Sequence, residues 1–360
     1  MKILIGTGAS EPERCTAKCL IQAFKDNGHE VCVAGPVYGR NDFGIPAADA
    51  VDIDVPDKPY PERYTYKEIL DKCPWTPDFI LQIEPHFYFT GDKPKDIPSF
   101  YWVLDPHRGG IGHRDMALEG SFNAIFLSQP FFVPSYAMHK LKVFWLAQAF
   151  DEKRIQYDPD IKPECDIAFV GETGIHEDLL VFDKYDSDGF FFTDKLPDQI
   201  ILSSEQREYA ERAQLLGYLT EDFDIRIYQK NIGGYSKIIQ KGEVGFNRSL
   251  FMDINLRLFE IIACKRLLVT DIVPHLDMLL NPGEHFVPYG QFGFDPFNSN
   301  FRLDYEQLKE AVDFSLNNVG RDVIAQQGYN EVMMNHTYKR RAEQMVTIIE
   351  KEISENTNPI

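Results

Sequence analysis

The chain starts a β-loop-α-β unit at its N terminus and begins a second alternating series near residue 165, and this pairing leaves few architectures open. "KILIGTG" has the continuous apolar character of a strand buried on both faces, with glycine at its end. "ERCTAKCLIQAFKDNGHE" follows with helical spacing through Cys15, Cys19, Leu20, Ala23 and Phe24, stops at Gly28, and leads into the strand "HEVCVAG". A helix joining neighbouring parallel strands crosses over right-handed. Further strands are expected at "DFILQIE" (78–84), "SFYWVLD" (99–105), "NAIFLS" (123–128) and "KVFWLA" (142–147), with short helices around 66–73 and 134–141.

Residues 148–164 are polar, hold two prolines and lack a period, which predicts a linker. "CDIAFVGE" restarts the pattern. A helix over 205–219, "FDIRIYQ", a short helix in "GGYSKIIQK", "GEVGFN", the helix of "NLRLFEIIACK", "RLLVTD", "HFVPYG" and closing helices from Asp304 complete it. The segment 181–197 fits neither period and reads as a hairpin turning at "DSDG". A chain of 360 residues suits two domains of roughly 150–200 residues each. The expected fold is therefore α/β, with two Rossmann-like, doubly wound parallel sheets over 1–147 and 165–335, facing a cleft. Ligands of such sheets sit at the carboxyl ends of the strands, beside helix N-termini.

A net charge of −19 disfavours nucleic acid and anionic lipid as partners, since both are bound by neutralising phosphate with Lys and Arg. No apolar run approaches the roughly 18 residues of a membrane span. "MKILIGTGAS" lacks the form of a secretory leader, which predicts a cytoplasmic protein. The six cysteines show no paired CxxC spacing and read as reduced thiols; Cys15 and Cys19 share a helix face without partners for a metal.

Glu260 interrupts an otherwise apolar helix, "NLRLFEIIACKRLLVTD", expected to begin near Asp253 or Ile254. Ile254, Leu258, Ile261 and Ile262 form its core face, and Arg257 lies one turn before the glutamate. An Asp253, Arg257, Glu260 ion-pair ladder on a solvated face is one reading. The other is a binding carboxylate. Phe259, Ile261 and Ile262 leave little polar face, and a carboxylate beyond a strand and loop accepts both hydroxyls of a ribose.

"YSKIIQKGEVGFN", "DINLRLFEIIACKRLLVTD", "LLNPGEHFVPYG" and "IAQQGYNEVMMNHTYKRRAEQM" resemble the C-terminal half of CgeB-like, spore-maturation-type glycosyltransferases, relatives of the group-1 glycosyltransferases of the GT-B fold. "SFYWVLDP" and "KVFWLAQAFD" extend the likeness more loosely into the first half. The resemblance implies a metal-independent, hexosyltransferase-type enzyme that takes a nucleotide sugar of UDP or GDP type and no further cofactor, with retention favoured. It implies an acceptor-side domain over 1–147, a donor domain over 165–335, and a terminal helix, 336–360, packing back on the first. Glu260 then holds the donor ribose, and Ser236, Lys237, Asn247 and Arg257 belong to the donor nucleotide site, Lys237 and Arg257 as diphosphate contacts. This chain departs from the larger group in having Met252 where a first glutamate stands, Lys265 where glycine is common, and Glu172 where basic residues often follow the first strand of the domain.

In the first half, "GTGAS" places Gly8 and Ser10 at the end of the first strand, where small residues let a ligand approach the backbone. "LDPHRGGIGHRD" reads as a polar loop with Asp105, His107 and Arg108 at a strand end. Asp105 and His107 are the catalytic candidates, as general base or as donor-positioning groups. An Asp-Pro turn with an exposed histidine is the plainer reading. His86 beside Glu84 is a further strand-end candidate, and His336 and Tyr338 open the last helix as packing residues. The acceptor is expected to be a protein, a neutral glycan or a small molecule. A sugar-nucleotide epimerase, or a non-catalytic structural protein on the same fold, are the alternatives.

Overall fold

A computed structural model describes residues 1–7, 16–35, 52–54, 65–83, 89, 91–173, 175, 179–196, 209–228, 234–250, 253–290 and 301–357. The chain forms two compact units, one of residues 1–149 with 338–360 and one of residues 150–337.

The first unit contains β1 (Lys2–Gly6), α1 (Thr16–Asp26), β2 (Glu30–Gly35), β3 (Ile53–Asp54), α2 (Tyr66–Leu70), β4 (Phe79–Ile83), β5 (Ser99–Val103), α3 (Pro106–Glu119), β6 (Ala124–Leu127), α4 (Val133–Ala137) and β7 (Val143–Trp145). Its sheet runs β3-β2-β1-β4-β5-β6-β7, parallel throughout. β4 and β5 are buried along their whole length, the reason their sequences are apolar without alternation. α1 ends where Gly28 takes φ +81°, a left-handed position that costs glycine nothing. The last helix of the chain (Tyr338–Thr357) lies on α1, with the Tyr338 hydroxyl donating to Thr16 Oγ1 at 3.0 Å.

One expectation fails here. The stretch 104–115 is a helix rather than a loop from Pro106 onward, with Asp105 at its N-cap. Proline suits the first helical position, where its missing N–H has no partner in any case. The Asp-Pro pair was the start signal, and Gly109, Gly110 and Gly112, which suggest a loop, are tolerated at about 1 kcal/mol each.

The second unit contains β8 (Cys165–Val170), β9 (Lys184–Tyr185), β10 (Phe191–Thr193), α5 (Ala210–Asp222), β11 (Ile225–Tyr228), α6 (Tyr235–Gln240), β12 (Gly242–Asn247), α7 (Leu256–Ala263), β13 (Leu267–Asp271), β14 (Val287–Tyr289), α8 (Phe301–Asn317) and α9 (Arg321–Asn335). The sheet runs β14-β13-β12-β8-β11-β10-β9. It is parallel from β14 to β11, and β10 and β9 add antiparallel at the edge as the hairpin that the sequence suggests around "DSDG". The reason is local. Asp186 Oδ1 accepts from the N–H groups of Asp188 and Phe190 at 2.9 Å and Gly189 takes φ +81°, a tight turn that can only return the chain antiparallel.

α7 begins at Leu256, with Asn255 as its N-cap, two or three residues later than its apolar pattern suggests. Asp253 Oδ1 accepts from the Leu250 N–H at 2.5 Å, and this local bond holds the preceding segment out of the helix. At the other end Lys265 takes φ +55°, its N–H donating to the Ile262 carbonyl and that of Arg266 to Ile261. This is the helix-terminating geometry that favours glycine. Here the lysine ammonium lies 5.0 Å from the Tyr157 ring centroid.

The hairpin is pinned by Lys241, whose side chain is 1% exposed and whose ammonium meets Asp188 at 2.7 Å, Asp186 at 2.9 Å and Glu164 at 3.0 Å. Burial acts to raise the Glu164 pKa, but hydrogen bonds from Ser187, Lys241 and Arg226 outweigh it and hold the carboxyl at about 2, below its ordinary 4.5. A depressed carboxylate stabilises the fold above its unfolded pKa and loses that contribution as pH falls through the folded value. Thermal melts between pH 4.5 and 2 are therefore expected to show a falling midpoint, with a shallower slope in Glu164→Gln. An equal slope in the variant rejects the assignment.

Candidate functional site

In the second sheet the chain leaves β8 toward β11 on one side and then builds β12, β13 and β14 on the other. β8 and β12 thus flank the topological switch point, where a doubly wound sheet opens a crevice at its carboxyl edge. In the first sheet the corresponding pair is β1 and β4.

At the end of β12, Asn247 is fully buried and its Nδ2 donates to Thr270 Oγ1 at 3.0 Å, while its Oδ1 has no hydrogen-bond partner among the described residues. Arg248 follows, paired with Glu211 of α5 and 3.8 Å from Asp271. Burial acts to lower its pKa, and the carboxylates of Asp271 and Glu211 more than reverse that. The Ser249 N–H donates to Asp271 Oδ1 at 2.9 Å, and its buried hydroxyl has no partner among the described residues.

Two more guanidinium groups stand over this edge. Arg257 reaches from α7 to the end of β8, its charge centre 4.7 Å from the Phe169 ring centroid. Gly171 has φ +144°, and a Cβ built there meets an Arg257 terminal nitrogen at 1.9 Å, so only glycine leaves room for the arginine. Arg212, on α5, is 4% exposed; it donates to the Glu172 carbonyl at 3.0 Å and the Arg248 carbonyl at 2.7 Å. Burial, then the Arg257 charge, lowers its pKa to about 9, which leaves it cationic at neutral pH. The Nε atoms of Arg212 and Arg257 are buried without a partner among the described residues. Beside them, burial raises the Asp253 carboxyl to about 7, against the opposing pull of the Leu250 N–H and Arg212.

One turn beyond Arg257, Glu260 is 8% exposed and accepts a hydrogen bond from the Tyr235 hydroxyl at 2.7 Å. The ion-pair ladder is not what these residues form: Asp253 binds the Leu250 N–H, Arg257 lies on Phe169 and Glu260 meets Tyr235. Glu260 shares α7 with Arg257 and Asn247 ends the adjoining strand, whereas Ser236 and Lys237 lie on α6 beside Tyr235. The Ser236 carbonyl accepts from Gln240 Nε2 at 2.9 Å, and Lys237 is exposed.

Arg212, Arg248, Ser249, Asp271 and Tyr235 escape a reading of the sequence alone. Arg212 did carry a signal, because it occupies the same helical stripe as Leu215, Leu216 and Leu219 and is thus a charge on an apolar face, as Glu260 is. Tyr235 carried none.

In the first unit Asp105 is half-buried at the N-cap of α3. His107 and Arg108 follow in the first turn of α3, with side chains outside the described residues, and Gly8, Ser10, Glu84 and His86 lie outside them altogether. His336 is a packing residue of the second unit, stacked on Phe259 at 5.1 Å with Nε2 3.2 Å from the Leu279 carbonyl.

Two successive Rossmann-like sheets, each wound about its own switch point, define the GT-B fold. Residues 205–347 match the family described as "Glycosyl transferase-like", a span that holds Arg212, Asn247, Arg257 and Glu260. Among solved structures the chain is similar to sucrose-phosphate synthase from Thermosynechococcus elongatus, at 12% identity and TM-score 0.60 over 98% of this chain and 99% of that one. It is similar to HepE of Anabaena in complex with UDP and glucose, at 10% identity and TM-score 0.60 over 98% and 100%. The catalytic domain of starch synthase IV from Arabidopsis thaliana, bound to ADP and acarbose, gives 10% and 0.58 over 98% and 99%. Likeness at such identities establishes the fold. No curated protein matches the chain. No helix among the described residues is long and apolar enough to cross a membrane.

Proposed function

We propose that the protein is a cytoplasmic GT-B glycosyltransferase of the CgeB-like kind, which moves a hexosyl group from a nucleotide diphosphate sugar to a hydroxyl acceptor. The observation that carries this reading is the pairing of a buried carboxylate, Glu260, with a buried-edge cation, Arg257, one helical turn apart at the carboxyl edge of the second sheet. A ribose offers two hydroxyl donors to the first, and a diphosphate offers anionic oxygens to the second. Asn247 and Ser236 complete the nucleotide contacts, and Lys237, exposed on α6, adds a second cation. Residues 165–335 serve as the donor domain, and residues 1–147 supply the acceptor side through Gly8, Ser10, Asp105, His107 and Arg108, with 336–360 as the packing helix of that domain.

Breaking the glycosidic bond to the donor places negative charge on the leaving diphosphate. Fixed cations at that point stabilise the charge as it forms, without reorganisation, and need no metal to do so. Retention is the favoured outcome, since it rests on donor positioning and leaving-group stabilisation; Asp105 or His107 then orients the acceptor hydroxyl rather than deprotonating it fully. UDP and ADP occur in the similar HepE and starch synthase structures, and UDP- or GDP-linked sugars are the proposed donors here.

A thermal-shift screen against UDP, GDP, ADP and TDP and their hexose conjugates tests the reading. One nucleotide is expected to raise the midpoint, since a ligand at a hundredfold excess over Kd adds about 2.7 kcal/mol of apparent stability. Product from the sugar nucleotide alone, without acceptor, points to an epimerase. No shift with any nucleotide leaves the non-catalytic structural protein.

A further inference from the structure

We propose that Arg212 is a positioning residue for the diphosphate contact at Arg257, acting through the chain segments that follow β8 and β12. The inference rests on the donor-site reading and deepens it. The segment after β8 carries an acid, Glu172, and no base among its described residues, so the cations at this edge come from helices elsewhere in the sequence. Arg257 is delivered by α7 and Arg212 by α5, 45 residues earlier in the chain. The geometry links them in three steps. Arg212 donates one nitrogen to the Glu172 carbonyl and another to the Arg248 carbonyl, which ties the two segments flanking the switch point into one unit. Glu172 directly follows Gly171, and the bare Cα of Gly171 is the surface against which the Arg257 guanidinium rests. The Phe169 ring, two residues before Gly171, lies 4.7 Å from the charge centre of the same guanidinium.

Arg257 is thus seated on a strand end that Arg212 fixes. The two cations also repel, an effect that the Asp253 and Asp271 carboxylates offset in part at Arg212, and neither Nε has a partner among the described residues. An anion at the same edge relieves the repulsion that remains. A planar, doubly donating side chain is needed at position 212, because a lysine places one point charge and cannot hold two carbonyls in a fork.

The test uses the full-length protein and three probes read by calorimetry: inorganic pyrophosphate, UDP and uridine. Arg212→Met and Arg212→Lys are each expected to weaken pyrophosphate and UDP at least tenfold and to leave uridine within a factor of two. Gly171→Ala, which crowds Arg257 and strains the backbone next to the Glu172 carbonyl that Arg212 holds, is expected to give the same pattern. A purely structural Arg212 lowers the melting temperature and weakens uridine as much as UDP, and that result overturns the proposal. Unchanged pyrophosphate and UDP binding in Arg212→Lys overturns it also, and this variant settles the matter if Arg212→Met fails to fold. Wild-type protein that binds neither pyrophosphate nor UDP removes the diphosphate site altogether. Arg257→Ala with undiminished pyrophosphate affinity sinks the donor-site reading at Arg257, and so separates its failure from that of Arg212.

Discussion

Glu260→Gln is expected to weaken nucleoside diphosphate binding by about 10- to 150-fold. A hydrogen bond to a charged group contributes about 1.5–3 kcal/mol, and each 1.4 kcal/mol is a factor of ten. The variant keeps the shape of the side chain and an oxygen that can still accept from the Tyr235 hydroxyl, so α7 and α6 stay in register. What is lost is the anionic acceptor. Glu260→Ala removes the carboxylate that accepts from Tyr235 as well and is expected to lower stability in addition, by roughly 1 kcal/mol for the lost hydrogen bond. If the ribose is held equally in ground and transition states, the loss appears in KM with kcat nearly unchanged. Calorimetric Kd values for UDP and for its 2′- and 3′-deoxy forms check this directly. Equal affinities for wild type and Glu260→Gln, with only the melting temperature altered in Glu260→Ala, make the carboxylate a packing feature and end its role in the donor site.

The legible part of this molecule is what burial on both faces writes into a strand. β1, β4, β5, β8 and β13 announce themselves as apolar runs because nearly every residue along them is buried, whichever face it points to. Glu260 is legible for the converse reason, since a carboxylate among Phe259, Ile261 and Ile262 breaks the pattern around it. Arg212 breaks its helix in the same way, but its contacts are backbone carbonyls from segments 40 and 36 residues away, which no local spacing encodes. Local chemistry misleads in the other direction at α3, where glycines suggest a loop and an Asp-Pro start makes a helix, and at α7, where Asp253 binds a backbone N–H instead of opening the helix. Lys265 shows how a departure from a family pattern becomes readable once φ is known: the position is left-handed, and a ring contact with Tyr157 accompanies the non-glycine residue.

Lys241→Met is expected to cost about 3–5 kcal/mol, as removal of one partner from a buried ion pair does. In the sequence this lysine is an unremarked residue between a short helix and a strand, and its partners lie 77, 55 and 53 residues before it. In the fold it is the cation that meets Asp186, Asp188 and Glu164 together, with Arg226 also on Glu164 at 2.6 Å and the Asp186 side chain fully buried beside it. Burial acts to lower the lysine pKa, but hydrogen bonds to Asp188, Asp186 and Glu164 outweigh it and raise the value, so the ammonium stays charged through the accessible range. Methionine fills the same volume and removes the charge, leaving carboxylates that repel one another where water reaches only in part. The effect is local first: the hairpin of β9 and β10 is anchored through its turn, and its amides are expected to lose hydrogen-exchange protection before those of β8 or β12. Denaturant titration gives the size, and the double variant Lys241→Met with Asp186→Asn gives the mechanism. If the cost is uncompensated buried charge, neutralising Asp186 restores part of the loss and the two changes are strongly non-additive. If instead the lysine stem is merely packing against Phe190, the two effects add and the single loss stays below about 1 kcal/mol.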